Sequence, residues 1–250
     1  MKADIIQKEI HALIIGDEIL SGKREDKHLA YLIKTLKSYG IFISRADYIP
    51  DDPDTIKKTI ASKIGKIVFC FGGIGATPDD HTRKAASIAH KKPLTRHRQA
   101  KILIEKQFGD GAYPKRILMA DLPKNAQIIP NIINNVPGFF IDHHYFMPGF
   151  PEMAWPMIDW VIKNQYEFLI NLNSIEDQSI WIDDVSESKL IDTMQRIQKK
   201  NGGIKIYSLP KLRPKKMLEL GIKGEPEPVS KAMQDLKKIL KELKFDWREN

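Results

Sequence analysis

A run of glycines and acidic residues in the first half of the chain has the composition of a phosphate-binding loop beside a cation. Gly72, Gly73 and Gly75 stand within four positions, and Asp79 and Asp80 follow just before a helical pattern. Glycines let the backbone approach an anion and point N–H groups at it, and the start of a helix favours negative charge. Carboxylates beside a phosphate repel it unless a divalent cation lies between them. The run therefore predicts a phosphate loop with a metal or general base nearby; the alternative is that an aspartate merely caps the helix.

Three further polar clusters stand where predicted strands end or a predicted helix begins. Residues 16–22 follow one apolar run, residues 51–54 follow the next, and residues 147–152 precede a helical pattern. Open parallel sheets bind ligands beyond the carboxyl ends of their strands, so we expect these clusters to meet. The acidic side chains that would gather there include Asp17, Glu18, Asp26 and Asp51.

The elements that must position these clusters alternate between strand and helix over the first 165 residues. Apolar runs predict strands at 10–15, 41–49, 67–71, 124–129 and 138–141, with His143 and His144 in a hairpin turn. Helical spacing predicts helices at 27–39, 54–64, 80–90, 95–108 and 152–163. The alternation predicts a three-layer α/β fold, a mostly parallel sheet covered by helices on both faces.

The pattern changes near residue 165, where we place a domain boundary. Strands are predicted at 168–173 and 180–185, a helix at 188–200, a strand pair at 204–209 and 217–222, and a last helix at 228–243. The order predicts an α/β domain over 1–165 and a small α+β domain, ferredoxin- or KH-like, over 166–250.

The clusters, taken in order, resemble the molybdopterin-binding (MoaB/Mog-like) domain family, and most of all the version found in CinA proteins. The matching stretches are residues 16–22 with Asp26, the acidic pair 51–52, residues 72–82 against Gly-Gly-x-Gly-Pro-Thr-x-Asp-Asp-x-Thr, and residues 147–153 against a Pro-Gly-x-Pro-x-Glu-Met step. The resemblance spans residues 10–153, and the region after 165 is similar to the small domain that follows in CinA proteins. It implies the Mog-like fold, a homo-oligomer, and no amidohydrolase domain within these 250 residues.

The resemblance also implies a ligand class. Family members bind molybdopterin, and some adenylylate it with MgATP. The CinA branch is associated with metal-dependent hydrolysis of ADP-ribose-type pyrophosphates. Two interpretations follow: a hydrolase of nucleotide pyrophosphates such as ADP-ribose, using divalent Mg, Mn or Co, or a non-hydrolytic molybdopterin-binding protein of molybdenum cofactor biosynthesis.

Residue type and motif position assign expected roles. Catalytic roles fall to Asp80, Asp51 and Glu18, of which Asp51 or Glu18 is the expected general base. Metal binding is expected at Asp17, Asp26 and Asp80. The residues expected to bind the ligand are Gly16, Asp17, Gly72, Gly73, Gly75, Thr77, Asp79, Thr82, Pro148, Gly149 and Glu152.

Several positions depart from the family pattern. Phe71 stands where a threonine often precedes the two glycines, and Ala76 replaces a proline. Lys27 and His28 replace a Thr-Asn pair, and residues 131–134 replace an Asn-Pro-Val-Gly step. We expect these changes to alter ligand specificity: at position 28, either a ligand hydrogen bond is lost with the asparagine or His28 supplies another.

Composition excludes several other classes of protein. The 250 residues are 42% hydrophobic and contain one cysteine, Cys70, so a disordered chain and a disulfide scaffold are both excluded. Lys and Arg number 40 against 32 Asp and Glu; +6 of the net +8 falls in residues 1–163, with no basic arm. Nucleic acid is therefore not the expected partner. Neither a signal peptide nor a membrane span is predicted, which indicates a cytoplasmic protein.

Overall fold

The chain is described from a computed structural model, over residues 9–167, 175–213 and 215–249. These residues form two compact units, residues 9–38 with 42–167, and residues 39–41 with 175–249, residue 214 aside. The strand predicted at 168–173 lies outside the described residues, and the boundary near residue 165 stays a prediction. No helix in the described ranges has the length and apolar composition needed to cross a membrane.

The first unit is built on a sheet with the strand order β2-β1-β3-β8-β7-β6. Strands β2, β1, β3 and β8 run parallel, whereas β7 and β6 are antiparallel additions at one edge. The sheet is therefore mostly parallel, as predicted. Its strands are β1 Ile10–Ile15, β2 Arg45–Ile49, β3 Ile67–Phe71, β6 Gln127–Ile129, β7 Gly138–Ile141 and β8 His144–Met147.

Helices cover both faces of this sheet, which gives the predicted three layers. They are α1 Asp17–Leu20, α2 His28–Ser38, α3 Pro53–Ser62, α4 Thr82–Ala89, α5 Arg98–Phe108 and α6 Pro151–Gln165. Every residue of β1 is buried, because alternate side chains point to opposite covered faces. Leu13 joins a core with Ile56 of α3 and Ala85 of α4. On the other face, α2 packs against α6.

An insertion between α4 and β6 departs from the predicted helix at 95–108. Its first residues form the short strand β4, Leu94–Arg96, which pairs with β5, Asp121–Pro123. Arg96 binds the carboxylate of Asp121 across this pair at 2.5 Å, which favours the strand over a helix. His97 then caps α5 by accepting the N–H of Ala100 at 3.2 Å. After α5 the chain passes through 3-10 turns at Gly109–Ala112 and Arg116–Ala120.

Other predicted bounds also change. The strand predicted from residue 41 begins at Arg45, and the one predicted from 124 begins at Gln127. The hairpin turn predicted at His143 and His144 was wrong for His144, which is buried at the start of β8. Asp142 takes the positive φ of that turn instead, at 53°.

The second unit is the predicted α+β arrangement, an antiparallel sheet in the order β10-β11-β9-β12 with two helices packed on it. Its elements are β9 Glu176–Asp183, α7 Ile191–Lys200, β10 Ile204–Lys211, β11 Met217–Gly224, α8 Pro226–Glu242 and β12 Trp247–Glu249. Alternate residues Ile180 and Ile182 of β9 are buried in a core with Leu236 of α8. Strand β12 was not predicted.

Candidate functional site

A cavity of about 400 Å³ lies at the carboxyl ends of the parallel strands in the first unit. Loops that follow β1, β2, β3 and β8 line it, as the order of the clusters predicts for a parallel sheet. The predicted site residues on its lining are Glu18, Asp51, Gly72, Gly73, Gly75, Thr77, Asp79, Asp80, Pro148 and Gly149.

The first two glycines of the loop after β3 are required by space and by backbone angle. We call residues 72–80 the glycine loop. A Cβ on Gly72 would lie 2.2 Å from the carbonyl oxygen of Ile15, and its φ is +102°. A Cβ on Gly73 would lie 2.3 Å from the hydroxyl of Thr82, at a φ of +68°. Any side chain at either position would push the loop off the end of the sheet.

Asp80 shapes the glycine loop from inside the chain. Its Oδ1 accepts the N–H of Gly75 at 2.9 Å, and its Oδ2 accepts both the N–H of Thr77, at 2.8 Å, and the Thr77 hydroxyl. Three donors on one carboxylate fold the loop back on itself, a local pattern typical of Asp. Asp80 still lines the cavity, so shaping the loop and contacting a ligand are both open to it.

Thr82 supports the glycine loop from behind. The residue is fully buried; its hydroxyl donates to the carbonyl of Gly72 at 3.0 Å, and its N–H donates to the carbonyl of Gly73 at 2.9 Å. It does not line the cavity. Its expected contact with the ligand is therefore replaced by a contact with the loop.

Asp51 is the centre of an acidic group on the cavity wall. Its Oδ2 accepts the backbone N–H of Asp17 at 2.9 Å. Burial raises the pKa of Asp51, and the nearby charges of Glu18, Asp17 and Asp79 raise the pKa further, whereas the Asp17 N–H lowers it. A carboxylate held among like charges accepts protons readily and favours a bound cation.

Asp26 does not reach this group. Its two carboxylate oxygens accept the N–H of His28 at 2.9 Å and of Leu29 at 3.2 Å, which caps α2, and also the hydroxyl of Tyr48 at 2.9 Å. The predicted metal set of Asp17, Asp26 and Asp80 is thus not brought together. An aspartate can either cap a helix or bind a metal ion. Here Asp26 caps the start of α2.

Three more expected ligand residues lie behind the cavity wall. The N–H of Gly16 donates to the carbonyl of Ile49 at 3.1 Å, and the N–H of Asp17 is the donor to Asp51. Glu152 lies in the first turn of α6, where its charge complements the helix dipole. None of the three is on the cavity lining.

A metal ion would find few protein ligands in this cavity. Within residues 9–167, 175–213 and 215–249, no group of three His, Cys, Asp or Glu side chains is arranged to hold a metal. Mg²⁺ usually binds through one or two carboxylates together with phosphate oxygens and water. Asp51 with Glu18 or Asp79 fits that pattern, provided that the ligand brings phosphate.

Arg24 and Phe150 are among the cavity residues that sequence reasoning missed. The Arg24 guanidinium lies 5.9 Å from the ring centre of Phe150 and 4.0 Å from Oε1 of Glu18. About half of the Phe150 surface is exposed, at 52%, so the ring is accessible. Residue type alone does not distinguish Arg24 from the many surface cations of this chain.

Part of the cavity wall is apolar. Phe108 comes from the end of α5 and Met119 from the 3-10 turn before β5; Val136 and Met153 complete it. A patch of this kind suits a flat heterocyclic ring. Two of these four residues, Phe108 and Met119, come from the insertion, where no motif marks the residues.

The departures from the family pattern at His28 and Phe71 are in contact with each other. Their rings stack at 4.6 Å with 11° between planes, and both are buried. His28 also hydrogen-bonds the backbone of Gly149, and burial lowers the pKa of its imidazole. Since His28 is not on the cavity lining, its expected hydrogen bond to a ligand is replaced by one to the loop that follows β8.

Known proteins resemble this chain in sequence and in fold. The chain is 25% identical over 239 residues to a protein of Archaeoglobus fulgidus, covering 93% of this chain and 98% of that one. It is 31% identical over 164 residues to a CinA-like protein of Desulforapulum autotrophicum, covering 62% of this chain and only 39% of that protein. The crystal structure of a CinA protein of unknown function from Thermoplasma acidophilum has the same fold, with a TM-score of 0.58 and 24% identity over 63% of this chain and 98% of that one.

The family assignment rests on a match to a family model. The sequence model of the probable molybdopterin-binding domain matches residues 11–167, which is more than half of the chain and includes every loop around the cavity. The chain therefore belongs to the family of probable molybdopterin-binding domains, and it is similar to CinA-like proteins.

Proposed function

We propose that the cavity binds a small phosphate-bearing heterocyclic compound and that the protein hydrolyses nucleotide pyrophosphates such as ADP-ribose with a divalent metal. The observation that carries the proposal is the division of one cavity into a loop that suits phosphate, a group of carboxylates, and an apolar wall. A nucleotide pyrophosphate has parts that match all three.

The glycine loop is the phosphate side. Its backbone N–H groups at Gly73, Ile74 and Ala76 have no hydrogen-bond partner among the described residues. Unpaired N–H groups on a loop that lines a cavity are donors for phosphate oxygens. The carbonyls of Ile74 and Gly75, in contrast, accept from Arg83 behind the loop.

Asp51 is the residue best suited to take a proton from the attacking water. Its raised pKa makes it a stronger base than an ordinary aspartate, and it lies on the cavity lining. A divalent cation bound beside it would polarise the pyrophosphate and offset negative charge. Glu18 and Asp79 line the same wall and would share that cation.

The apolar wall and the Arg24–Phe150 pair would hold the heterocycle. Phe108 and Met119 offer contact area, and the half-exposed Phe150 ring offers a stacking surface. A base held there places the phosphates towards the glycine loop. Binding of the two ends together would orient the bond to be cleaved.

The test is AMP formation from ADP-ribose by the full chain with Mg²⁺, Mn²⁺ or Co²⁺. We expect Asp51→Asn to lower the rate by about 100-fold or more, because the base is lost. Asp52→Asn is the matched control: Asp52 caps α3 by accepting the N–H of Thr55 at 2.7 Å, and Asn caps a helix equally well. AMP formation by wild type that does not exceed the Asp51→Asn level would overturn the proposal.

The second candidate is a non-hydrolytic molybdopterin-binding protein. The absence of a three-residue metal group in the described ranges favours it, since binding a pterin phosphate needs only the loop and the apolar wall. Calorimetric titration with molybdopterin, alongside the AMP assay, separates the two. Binding without turnover of ADP-ribose supports this candidate, and a titration without heat contradicts it. Homo-oligomer formation and a cytoplasmic location stay predictions of the family resemblance.

A further inference from the structure

Arg83 lies in the first turn of α4, directly behind the glycine loop. Its Nε donates to the carbonyl of Ile74 at 3.1 Å, and its Nη2 donates to the carbonyl of Gly75 at 2.8 Å. Both acceptors are main-chain atoms of residues that line the cavity. A hydrogen bond to its carbonyl fixes the orientation of a peptide plane. In a trans peptide the N–H points away from the carbonyl, so the N–H that shares the plane points away from Arg83.

The same guanidinium also holds the insertion. Its Nη1 donates to the carbonyl of Leu118 at 2.5 Å and to the carbonyl of Asp121 at 3.2 Å. These residues flank Met119 and Ala120, and Met119 belongs to the apolar wall. The Arg83 side chain therefore connects the glycine loop to the segment that carries Met119.

The charge of Arg83 lacks an ion-pair partner. Within the part of the chain that the structure describes, no carboxylate lies within 4.0 Å of it, and its four acceptors are neutral carbonyls. The nearest acidic groups are already engaged, Asp80 with the glycine loop and Asp121 with Arg96. Burial lowers the pKa of Arg83, which reflects the cost of a desolvated cation.

The position on α4 adds to that cost. The first turn of this helix holds Arg83 and Lys84 and no acidic residue, although the N-terminal end of a helix carries positive partial charge. A cation at this end is unfavourable unless an anion is near. Asp121 and Asp80 offset part of the cost, and burial still lowers the pKa of Arg83. A phosphate on the glycine loop would add negative charge beside the guanidinium.

We propose that Arg83 is the positioning residue of this site: it orients the glycine loop for phosphate, supplies the positive charge behind it, and joins the loop to the wall that carries Met119. The inference rests on the proposed function only for the ligand class, a phosphate-bearing compound. It assigns Arg83 to binding rather than to the chemical step. Loss of Arg83 should therefore raise KM with little change in kcat.

The probe is inorganic pyrophosphate, with dissociation constants and thermal shifts measured for the full chain. Arg83→Met removes the charge and all four bonds, Arg83→Lys keeps the charge without the planar fork, and Lys84→Met removes a neighbouring exposed charge that makes no loop contact. We expect binding weakened by about tenfold or more in Arg83→Met, an intermediate loss in Arg83→Lys, and a change below about twofold in Lys84→Met. Raising the salt concentration should narrow the gap between wild type and Arg83→Met.

Unliganded melting temperatures and circular dichroism establish that each variant is folded, and Arg83→Gln replaces Arg83→Met if the latter does not fold. Wild-type pyrophosphate affinity in the folded Arg83→Met or Arg83→Gln variant overturns the inference, as does an equal loss in Lys84→Met. A wild type that binds no pyrophosphate also overturns it. Pyrophosphate binding without AMP formation from ADP-ribose would contradict the proposed hydrolysis and leave the role of Arg83 standing. AMP formation by Arg83→Met with an unchanged KM would support the proposed hydrolysis and contradict the role of Arg83.

Discussion

Charged side chains have different partners at the two ends of the main sheet. At the amino ends of its strands, buried charged side chains pair with one another. At the carboxyl ends, around the cavity, Asp51, Asp80 and Arg83 bind main-chain groups instead. The difference separates charges that complete the fold from charges that are left for a ligand.

Lys63 shows the first arrangement. Its side chain is 5% exposed, and its Nζ lies 2.5 Å from Oδ2 of Asp47 and 3.4 Å from Nδ1 of His11. Asp47 also binds Arg45 at 2.7 Å. Each buried charge here has an opposite charge or a hydrogen-bond partner, which offsets its desolvation.

At the same end of the sheet, buried histidines are joined in a series of hydrogen bonds. His144 Nε2 donates to the carbonyl of Lys63 at 3.0 Å, and its Nδ1 is 3.1 Å from Nε2 of His90. His90 Nδ1 in turn lies 3.2 Å from Oδ2 of Asp142. Burial lowers the pKa of both imidazoles, that of His144 to about 4.

The cavity end lacks such pairing and is therefore predicted to be the less stable of the two. Asp51 has like charges around it and Arg83 has only carbonyls. Functional sites commonly cost stability in this way, because the groups that meet the ligand have no partner without it.

The largest expected effect comes from breaking the paired end. Lys63→Met leaves Asp47 with Arg45 as its remaining cationic partner and should lower the free energy of unfolding by about 2–4 kcal/mol. Lys58→Met, at an exposed position of α3, should change it by less than about 0.5 kcal/mol. Denaturant unfolding measures both. The comparison fails if the two variants are equally stable, or if Lys63→Met weakens pyrophosphate binding as strongly as Arg83→Met does.

The second prediction concerns acid. Between the ordinary histidine pKa of 6.5 and the folded value of about 4, the unfolded chain binds a proton at His144 that the folded chain does not. Stability should therefore fall as pH falls through this window, by up to roughly 3 kcal/mol from this residue. His144→Asn should reduce the slope of the free energy of unfolding against pH in this window by up to about one proton. An unchanged slope in His144→Asn would contradict the assignment.

The smallest effect on stability is expected at the cavity end, where stability should fall as pH rises and not as it falls. Because the pKa of Asp51 is raised, its contribution to stability is present at low pH and lost as pH rises through the folded pKa. Asp51→Asn should then raise the free energy of unfolding at neutral pH by less than about 1 kcal/mol, after allowance for solvent screening. Thermal unfolding at pH 7 and pH 4 measures it; destabilisation at pH 7 would show that Asp51 belongs with the paired charges.

Sequence patterns could predict the site residues that directly follow a strand. Parallel strands end at one edge, so Asp51, Gly72 and Gly149 could be placed together from their positions after apolar runs. Asp26 and Thr82 could not be assigned correctly, because their residue types suit a ligand, a cap or a loop support, and only the backbone decides among these.

Residues of the insertion could not be predicted at all. Phe108 and Met119 reach the cavity through the fold of a segment that carries no motif. Arg83 did leave a signal, a cation in the first turn of a helix, where the dipole disfavours it. The helix predicted over 95–108 was too long because the pairing of β4 with β5 overrode a helical pattern.

The stacked rings of His28 and Phe71 restrict the single substitutions that either position can accept. One comes from α2 and the other from the end of β3, and each fills the space beside the other. A return of either position alone to the asparagine or threonine common in the family would leave a large buried ring facing a void. The two positions are therefore coupled, and a double substitution that refills the shared space should cost less stability than the sum of the two single ones.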